Sequence, residues 1–293
     1  MIYEARGDSV QIARMYMDSL LVESRIVGAV RPDTAFRFLG ETFETPIMTA
    51  ALSHLDLVSM AEGAKQAGAC VSIGMGGNEE LGAVLSTGAK VMKIIKPYAD
   101  EREILSRIEY AEANGAAAVG MDVEHAVNVD DAEDSVVVGL QMKQPTLAEL
   151  EKYIRASKLP FFIKGALSVK DAIRCRDLGA AGVILSHHNG LMRYAVPPVM
   201  ILPEIRKAVG HDLILIADGG METGFDAFKA LARGADAVTM GKALMAPLRE
   251  NGAEGVREAL RKATGQLQAM MIRTGTKDLK HMDPSVIHET LRF

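Results

Sequence analysis

The sequence predicts a closed (β/α)8 barrel, and three observations support that prediction. Residues 171–186 and 226–241 repeat one pattern, in which Asp-Ala is followed by a helical run, Gly-Ala and a Val-centred apolar segment. A Gly-Ala step also follows a helix-like segment at 68–69, 88–89 and 115–116, and Gly supplies the left-handed conformation that ends a helix. Eight apolar runs alternate with helical segments, which indicates a parallel sheet.

The eight predicted strands lie at 46–50, 69–73, 90–95, 117–122, 160–164, 182–186, 213–217 and 236–240. Amphipathic segments separate most of them, and AIRCRDL and AFKALAR are the clearest. The length of 293 residues suits a single-domain barrel of about 250 residues with extensions. The alternative is a doubly wound open sheet, which is disfavoured because no G-x-G-x-x-G follows the first strand.

The segments outside these eight units are predicted as follows. Residues 1–40 are expected to form two short helices and a loop, an extension that covers the bottom of the barrel or reaches over its mouth. Residues 123–145 follow the fourth strand and form the least regular stretch. The acids within it, Asp130, Asp131, Glu133 and Asp134, favour a solvated loop, and a mobile lid over the site is the alternative. The tail after residue 250 is expected to add one or two helices.

Composition limits the class of protein. The net charge of −5 gives no reason to expect nucleic acid or an anionic membrane as a partner, and no apolar segment is long enough to span a bilayer. The opening residues, MIYEARGDSV, lack the features of a signal peptide. Cys70, expected in a strand, and Cys175, expected in a helix, are predicted to be buried and unpaired, which favours a cytoplasmic location.

A barrel concentrates its function at the C-terminal ends of its strands. The residues at those ends are Ala50, Ala51, Gly74, Lys93, Asp122, Lys164, Gly165, Ser186 to Gly190, Asp218 to Gly220, Gly241 and Lys242. The small residues among them let a flat ligand approach the backbone. The glycines and the lysine after the last two strands indicate a phosphate site, because backbone amides, a helix N-terminus and an ammonium group all bind phosphate. The alternative is that these glycines only make turns.

Three charged or titratable residues at strand ends are candidates for catalysis. Lys164 must find an anionic partner or lose its proton, so it is a Schiff-base nucleophile, an anion stabiliser or a structural ion pair. His188 is a candidate acid–base group, with a satisfied polar side chain as the alternative, and Asp122 is positioned to orient an imidazole. We expect no metal at His187 and His188, because adjacent side chains rarely share a metal without further ligands.

These residues lie in stretches that resemble the FMN-dependent α-hydroxy acid dehydrogenases and oxidases. PFFIKGALSVKDAIRCRDLGAAGVILSHHNG and LILIADGGMETGFDAFKALARGADAVTMGKALM are similar to two of that family's motifs, and FLGETFETPIMTAALSHL resembles its first strand. The likeness covers residues 36–75 and 145–250. It implies an FMN cofactor, hydride transfer at flavin N5, a small-molecule substrate and a homo-oligomer of four or more subunits.

The resemblance also implies roles for single residues. Lys164 would lie beside flavin N1 and O2 and stabilise the reduced ring, and His188 would be the base, paired with Asp122. The remaining cofactor contacts would come from the backbone of Ala50 and Ala51, from Ser186 at the ring or ribityl side, from Asp218 at the ribityl hydroxyls, and from Gly220, Gly241 and Lys242 at the phosphate. Gly74, Lys93 and Gly219 complete the expected cofactor-binding set.

The substrate half of the site departs from the family pattern. Leu191 stands where the family has an Arg three residues after the base, Glu222 replaces the Arg that follows Asp-Gly-Gly, and Ile95 replaces a Tyr. A bidentate Arg–carboxylate pair is not replaced by Leu. Arg193 and His125 are the substrate-binding candidates that remain. The sequence therefore favours a substrate other than a simple 2-hydroxy acid.

Two other functions remain open at this point. One is type 2 isopentenyl diphosphate isomerase, a related FMN barrel, for which Lys93, Lys96 and His125 would bind Mg²⁺ or diphosphate. The other is a flavin-binding or ligand-sensing barrel without catalysis, which Lys164 and His188 argue against because a pure binder needs no base.

Overall fold

The structure, a computed structural model, describes residues 6–129 and 140–290, and its centre is a ring of eight parallel strands. The strands, in chain order, are β1 (Leu20–Val22), β2 (Phe36–Phe38), β3 (Glu41–Phe43), β4 (Ile47–Thr49), β5 (Val71–Ile73), β6 (Val91–Ile95), β7 (Ala118–Asp122), β8 (Phe161–Lys164), β9 (Gly182–Leu185), β10 (Ile214–Asp218), β11 (Ala237–Met240) and β12 (Ile287–Glu289). Strands β4 to β11 form the ring, in the order β4-β11-β10-β9-β8-β7-β6-β5. The Gly74 amide donates to the Leu52 carbonyl at 2.9 Å and closes the ring between β4 and β5. The predicted (β/α)8 barrel is confirmed, with every strand within two residues of its predicted bounds.

Helices cover the outside of the barrel. They are α1 (Ser9–Ser19), α2 (Leu57–Gln66), α3 (Asn78–Ser86), α4 (Glu101–Ala113), α5 (Leu147–Ala156), α6 (Val169–Asp177), α7 (Pro198–Val209), α8 (Gly224–Ala232) and α9 (Lys242–Arg273). The Gly-Ala steps mark helix ends as predicted, with left-handed φ values of +65° at Gly68, +73° at Gly88 and +80° at Gly115. The helical tail is also confirmed: α9 contains a break at residues 251–252 and continues beyond it.

The N-terminal extension differs from the prediction. Only α1 is helical within residues 6–40, so the expected second helix is wrong. Instead, β1 pairs antiparallel with β12, and β2 pairs with β3. The β2–β3 turn is Leu39-Gly40, with φ of +53° and +79°, the geometry of a tight two-residue hairpin.

The extension reaches both ends of the barrel. The β2–β3 hairpin packs Phe36, Phe38 and Phe43 against the barrel interior, where the rings of Phe38 and Phe162 have centroids 5.9 Å apart. The buried cluster that contains these aromatic rings also contains residues at the N-terminal starts of barrel strands. The hairpin therefore closes the bottom of the barrel. Helix α1 lies by the mouth instead, where Arg14 donates to the carbonyl of Gly220 at 3.3 Å.

The segment after β7, the two cysteines and the helix lengths were also subjects of prediction. Residues 123–126 form a 3₁₀ turn, whereas 130–139, which hold the four acids and the middle of the proposed lid, lie outside the described residues. Cys70 and Cys175 are buried and unpaired, but Cys70 immediately precedes β5 rather than lying in it. Among the described residues, no helix is both long and apolar enough to cross a membrane.

Candidate active site

A cleft of about 280 Å³ opens at the C-terminal ends of the barrel strands. Its lining includes the predicted residues Ala50, Ala51, Lys164, His188, Asp218, Gly219, Gly220, Gly241 and Lys242. The other predicted residues, Gly74, Lys93, Asp122, His125, Ser186 and Arg193, are not part of this lining. The structure therefore gathers residues from five strand ends, those of β4, β8, β9, β10 and β11, into one concavity.

Asp122 joins the charged groups behind the cleft. Its Oδ2 lies 3.0 Å from His188 Nδ1, 3.1 Å from Lys96 Nζ and 3.3 Å from Lys164 Nζ. Strands β7 and β8 place Asp122 and Lys164 directly beside each other in register. Burial favours the neutral acid, but Lys164 above all, with His188 and Lys96, holds the pKa of Asp122 well below its usual range. Asp122 is therefore a buried carboxylate shared by three partners.

Lys164 is a buried cation. Its side chain is 4% exposed, and its ammonium also lies 3.9 Å from Asp218 Oδ2. Burial works against its charge, but Asp122, Asp218 and Glu124 outweigh burial and raise the pKa of Lys164. A Schiff-base nucleophile needs a neutral amine, so this environment favours the role of anion stabiliser.

His188 is held in a strained turn with its Nδ1 facing inward. That nitrogen lies 2.7 Å from Lys164 Nζ, and the backbone amide of His188 donates to Ser186 Oγ at 2.9 Å. His188 and Asn189 both have left-handed backbones, with φ of +46° and +55°, a conformation that costs energy and is concentrated at functional sites. Burial, together with Lys164, lowers the pKa of His188 against the opposing effect of Asp122. The imidazole is therefore kept neutral and available as a base.

His125 contacts the outer nitrogen of His188. The two Nε2 atoms are 2.6 Å apart, and the rings meet edge to face with centroids 4.0 Å apart. Asp122, His125 and His188 could together offer three ligand atoms to a metal. However, the ammonium groups of Lys96 and Lys164 already lie on the same carboxylate oxygen, and a metal ion there would meet two positive charges. The geometry favours an ion-pair cluster.

Lys93 and Gly74 lie together behind the cleft. The Lys93 ammonium donates to the carbonyl oxygens of Gly74 at 2.5 Å and Gly76 at 3.2 Å. Burial, reinforced by Arg107 and partly offset by Glu80, lowers the pKa of Lys93 to about 8. This lysine therefore satisfies backbone acceptors at the end of β5.

Asp218 is fixed by two hydroxyl groups. Ser186 Oγ donates to its Oδ2 at 2.8 Å, and Thr239 Oγ1 donates to its Oδ1 at 2.6 Å. Ser186 is fully buried, so it supports Asp218 and the His188 backbone from beneath the lining. Arg193 is exposed, beyond the residues that line the cleft.

The two helix starts beside the cleft differ in what they offer an anion. Helix α8 begins with a capping box between Thr223 and Asp226, and the Gly224 amide donates to Gln266 Oε1. Helix α9 begins at Lys242 with no side-chain cap, and its first residues line the cleft. Free amides at a helix N-terminus attract phosphate, so the phosphate site predicted from the sequence is expected at α9 rather than at α8.

Sequence reasoning did not identify His187 as a ligand-binding residue. This side chain is 1% exposed and lines the cleft, and its Nε2 has no hydrogen-bond partner among the described residues. Lys96 was considered only as a diphosphate ligand, although two lysines inside the apolar run VMKIIK indicate a buried ion-pair cluster. No local pattern indicates the contact of His125 with His188, because it depends on how two loops meet.

Comparisons with known proteins identify the family to which this chain is similar. A family model described as FMN-dependent dehydrogenase matches residues 6–142 and 128–289. An L-lactate oxidase of Roseobacter sp. (strain GAI101) is 35% identical over 54% of this chain and 43% of its own length, and an L-lactate oxidase of Lactobacillus jensenii is 28% identical over 92% of this chain and 76% of its own. The structure of a mandelate oxidase mutant with a monooxide FMN adduct superposes with a TM-score of 0.85 at 24% identity, over 98% of this chain and 92% of that one.

The chain belongs to the FMN-dependent dehydrogenase family. This membership confirms the resemblance found in the sequence and FMN as the cofactor. The matched stretch spans less than half the length of the first two L-lactate oxidases, 43% of each.

The residues of the cleft fit FMN. Lys164 supplies a cation at one end, and the uncapped start of α9 with Lys242 supplies an anion site at another. The unpartnered Nε2 of His187 adds a donor. Gly241 packs closely against Ala50, because an added Cβ would lie 3.1 Å from the Cβ of Ala50, and small residues at this wall let a flat group approach the backbone.

Proposed function

We propose that this chain is an FMN-dependent oxidoreductase that oxidises a hydroxy acid or a related hydroxyl compound. The observation that carries the proposal is the Asp122–Lys164–His188 cluster, which lies at the ends of neighbouring strands, behind and within a cleft lined by the residues expected to bind FMN. A base, a fixed cation and a buried carboxylate are the groups that hydroxyl oxidation requires of the protein.

In the proposed reaction, FMN when bound supplies the hydride acceptor, N5 of its ring. His188 Nε2 takes the proton of the substrate hydroxyl as the carbon loses its hydride, so a carbonyl group forms. Asp122 stabilises the imidazolium that results, as a paired carboxylate does in other His-based sites. Lys164 contributes a fixed positive charge in a buried setting, where such a charge acts strongly.

His125 has a defined place in this scheme. Because Nδ1 of His188 faces Lys164 and Asp122, only Nε2 can face a substrate, and His125 holds that atom at 2.6 Å. The substrate hydroxyl must therefore replace the His125 contact or lie next to it. This supports the role of His125 as a substrate-side residue.

The cofactor is proposed to lie along the cleft from Lys164 to α9. The backbone of Ala50 and Ala51 would flank the ring, Asp218 would accept from ribityl hydroxyls, and Gly220, Gly241 and Lys242 would hold the phosphate. Ser186 would act through Asp218, because its hydroxyl is already donated to that carboxylate.

The substrate half remains non-standard in this proposal. Within residues 6–129 and 140–290, the cationic side chains that line the cleft are Lys164 and Lys242, and no arginine replaces Leu191. Each missing charge-assisted pair is worth about 1.5–3 kcal/mol. Lactate, glycolate and mandelate are therefore expected to be poor substrates.

The two alternative functions gain no comparable support. Lys93 and Lys96 are directed at backbone carbonyls and at Asp122, so they are not free to bind the diphosphate of an isomerase substrate. A pure binder would not need a neutral His188 beside a buried carboxylate. Assembly as a homo-oligomer and a cytoplasmic location remain part of the proposal, and light scattering and cell fractionation test them.

The test uses purified protein loaded with FMN under anaerobic conditions. A panel of hydroxy acids and hydroxy amides is mixed in, and loss of the flavin absorbance is followed. We expect slow bleaching by lactate, glycolate and mandelate and faster bleaching by another member of the panel. His188→Gln should retain FMN and slow the bleaching by about 10²–10⁴-fold, the contribution of a general base.

Three results would contradict the proposal. Protein that does not take up FMN lacks the cofactor chemistry altogether. Loss of FMN binding in the His188→Gln variant would show that His188 has a structural role instead of a catalytic one. Rapid bleaching by lactate that Arg193→Met abolishes would show that Arg193 binds the carboxylate and that the substrate half is conventional.

A further inference from the structure

His187 lies at the end of β9, inside the cleft. It follows the last strand residue, Leu185, by two positions and is almost completely buried. It stands directly before the proposed base His188.

The hydrogen bond at Nδ1 fixes the tautomer of His187. The backbone amide of Gly190 is shared between the His187 carbonyl at 2.9 Å and Nδ1 at 3.1 Å, an arrangement in which Nδ1 carries a lone pair and the proton of the neutral ring is on Nε2. Burial lowers the pKa of His187, which keeps the ring neutral. His187 is thus a single N–H donor of known direction.

That donor has no acceptor within the described protein. Nε2 is buried without a hydrogen-bond partner, and an unpaired buried donor costs about 1–3 kcal/mol. It faces the backbone of Gly219, where an added Cβ would lie 3.3 Å from Nε2. Gly219 directly follows Asp218, the residue expected to accept from ribityl hydroxyls.

We propose that His187 Nε2–H donates a hydrogen bond to a ribityl oxygen of FMN. The inference rests on the proposed cofactor placement along the cleft and adds a residue to it. Asp218 accepts hydrogen bonds from the ribityl hydroxyl groups, and His187 donates one to them. The two side chains therefore use both the donor and the acceptor capacity of the ribityl chain. His187 is therefore a cofactor-binding residue, distinct from the base that follows it.

Two substitutions distinguish the role of Nδ1 of His187 from the role of Nε2. In His187→Asn, the side-chain oxygen takes the place of Nδ1 and still accepts from Gly190, but nothing reaches the position of Nε2. In His187→Gln, an amide N–H reaches toward the position of Nε2. His211→Gln, in an exposed loop, is the control for general effects of replacing a histidine.

The experiment measures dissociation constants for FMN, riboflavin and lumiflavin by fluorescence quenching, together with the melting temperature of the cofactor-free protein. We expect His187→Asn to weaken FMN and riboflavin equally, by about tenfold for one lost hydrogen bond, and to leave lumiflavin, which lacks the ribityl chain, unchanged. The melting temperatures of the cofactor-free His187→Asn and wild-type proteins show whether the substitution disturbs the fold. His187→Gln should bind riboflavin within about threefold of wild type.

Other results overturn the inference in recognisable ways. Weaker binding of FMN alone would place His187 at the phosphate, and weaker lumiflavin binding would place it at the ring. Unchanged affinities with a lower melting temperature would make its role structural. Failure of wild-type protein to bind any of the three flavins would instead contradict the proposed function itself.

Discussion

His188 stays neutral although it lies next to the carboxylate of Asp122. A carboxylate beside a histidine normally raises the pKa of the imidazole. Here burial lowers the pKa of His188, and the positive charges of Lys164 and, to a smaller extent, Lys96, which share the same carboxylate oxygen, lower it further. Burial and the two lysines thus keep the base neutral in spite of its acidic partner.

Replacing Lys96 should therefore change the titration of His188. Lys96→Met removes one positive charge from the Asp122 oxygen, so the pKa of His188 should rise. The neutral imidazole is the base, so activity falls when His188 becomes protonated. As the pH is lowered, the variant should therefore lose activity at a higher pH than the wild type does. NMR titration of the His188 ring in FMN-loaded protein measures the shift without a substrate. Lys152→Met, on the surface, is the control, and an unmoved or lowered pKa would contradict the explanation.

Lys164 should determine how readily the bound flavin accepts electrons. Lys164→Met keeps the aliphatic stem and removes the charge, so the reduction potential of bound FMN should fall, and sulfite should bind about tenfold more weakly, the effect of one charge-assisted pair. Both products place negative charge on the ring. Potentiometric titration and the absorbance change on adding sulfite measure these effects. An unchanged potential would place Lys164 away from the ring.

Single residues could be predicted where their position along a strand carried the information. Lys164, His188 and Asp122 end or follow apolar runs, and parallel strands bring their C-terminal ends together. The sharing of Asp122 by Lys96, the contact of His125 with His188 and the direction of the His187 donor could not be predicted. They depend on side-chain reach and on loop geometry, and neither leaves a periodic pattern.

The two helix starts beside the cleft differ in what they offer the phosphate of the proposed cofactor. Helix α8 satisfies its own first amides with Thr223, Asp226 and Gln266, whereas α9 starts without a side-chain cap. The sequence indicates the first capping box directly, because Thr and Asp stand three residues apart. It also shows Gly241-Lys242, but only the structure shows that α9 begins at the cleft without a side-chain cap.

The start of α9 should therefore bind the phosphate of the cofactor. Lys242→Met should weaken FMN by about tenfold, the lower end for a charge-assisted contact at an exposed position, and leave riboflavin unchanged because riboflavin lacks the phosphate. Calorimetry with the two flavins makes the comparison. Lys229→Met on α8, whose ammonium donates to the Met17 carbonyl, is a control in which both affinities should stay the same. An equal loss of FMN and riboflavin affinity in Lys242→Met would contradict the assignment.

Elements formed by residues far apart in sequence were the hardest to predict. Strand β1 pairs with β12 across the whole length of the chain. Each strand has only three residues, so its sequence pattern is too short to distinguish from a helix end.

The β2–β3 hairpin, in contrast, is local. It has a clear alternation in FRFLGETF, but its turn is Leu-Gly in place of the more usual Asn-Gly.

The whole molecule separates stability from function along the barrel axis. The interior layer and the hairpin aromatics fill the bottom, while the cleft and its charges occupy the mouth. Barrels typically place stabilising residues at the N-terminal ends of strands and chemistry at the C-terminal ends. A change near the bottom should therefore alter folding without altering the cofactor site.

Gly182 offers a test of this separation. It begins β9, and an added Cβ would lie 2.4 Å from Phe162 Cε1 and 2.7 Å from the Ile214 carbonyl oxygen. Gly182→Ala overpacks the interior and should destabilise the protein by about 1–3 kcal/mol, seen as a lower midpoint of urea unfolding, while the folded protein keeps the wild-type affinity for FMN. The control is Gly265→Ala in α9, where an added Cβ meets nothing within 4 Å, so stability should stay the same or rise by up to about 1 kcal/mol. If Gly182→Ala weakened FMN binding as much as it weakened folding, the two ends of the barrel would be coupled, and the division of roles along the axis would be wrong.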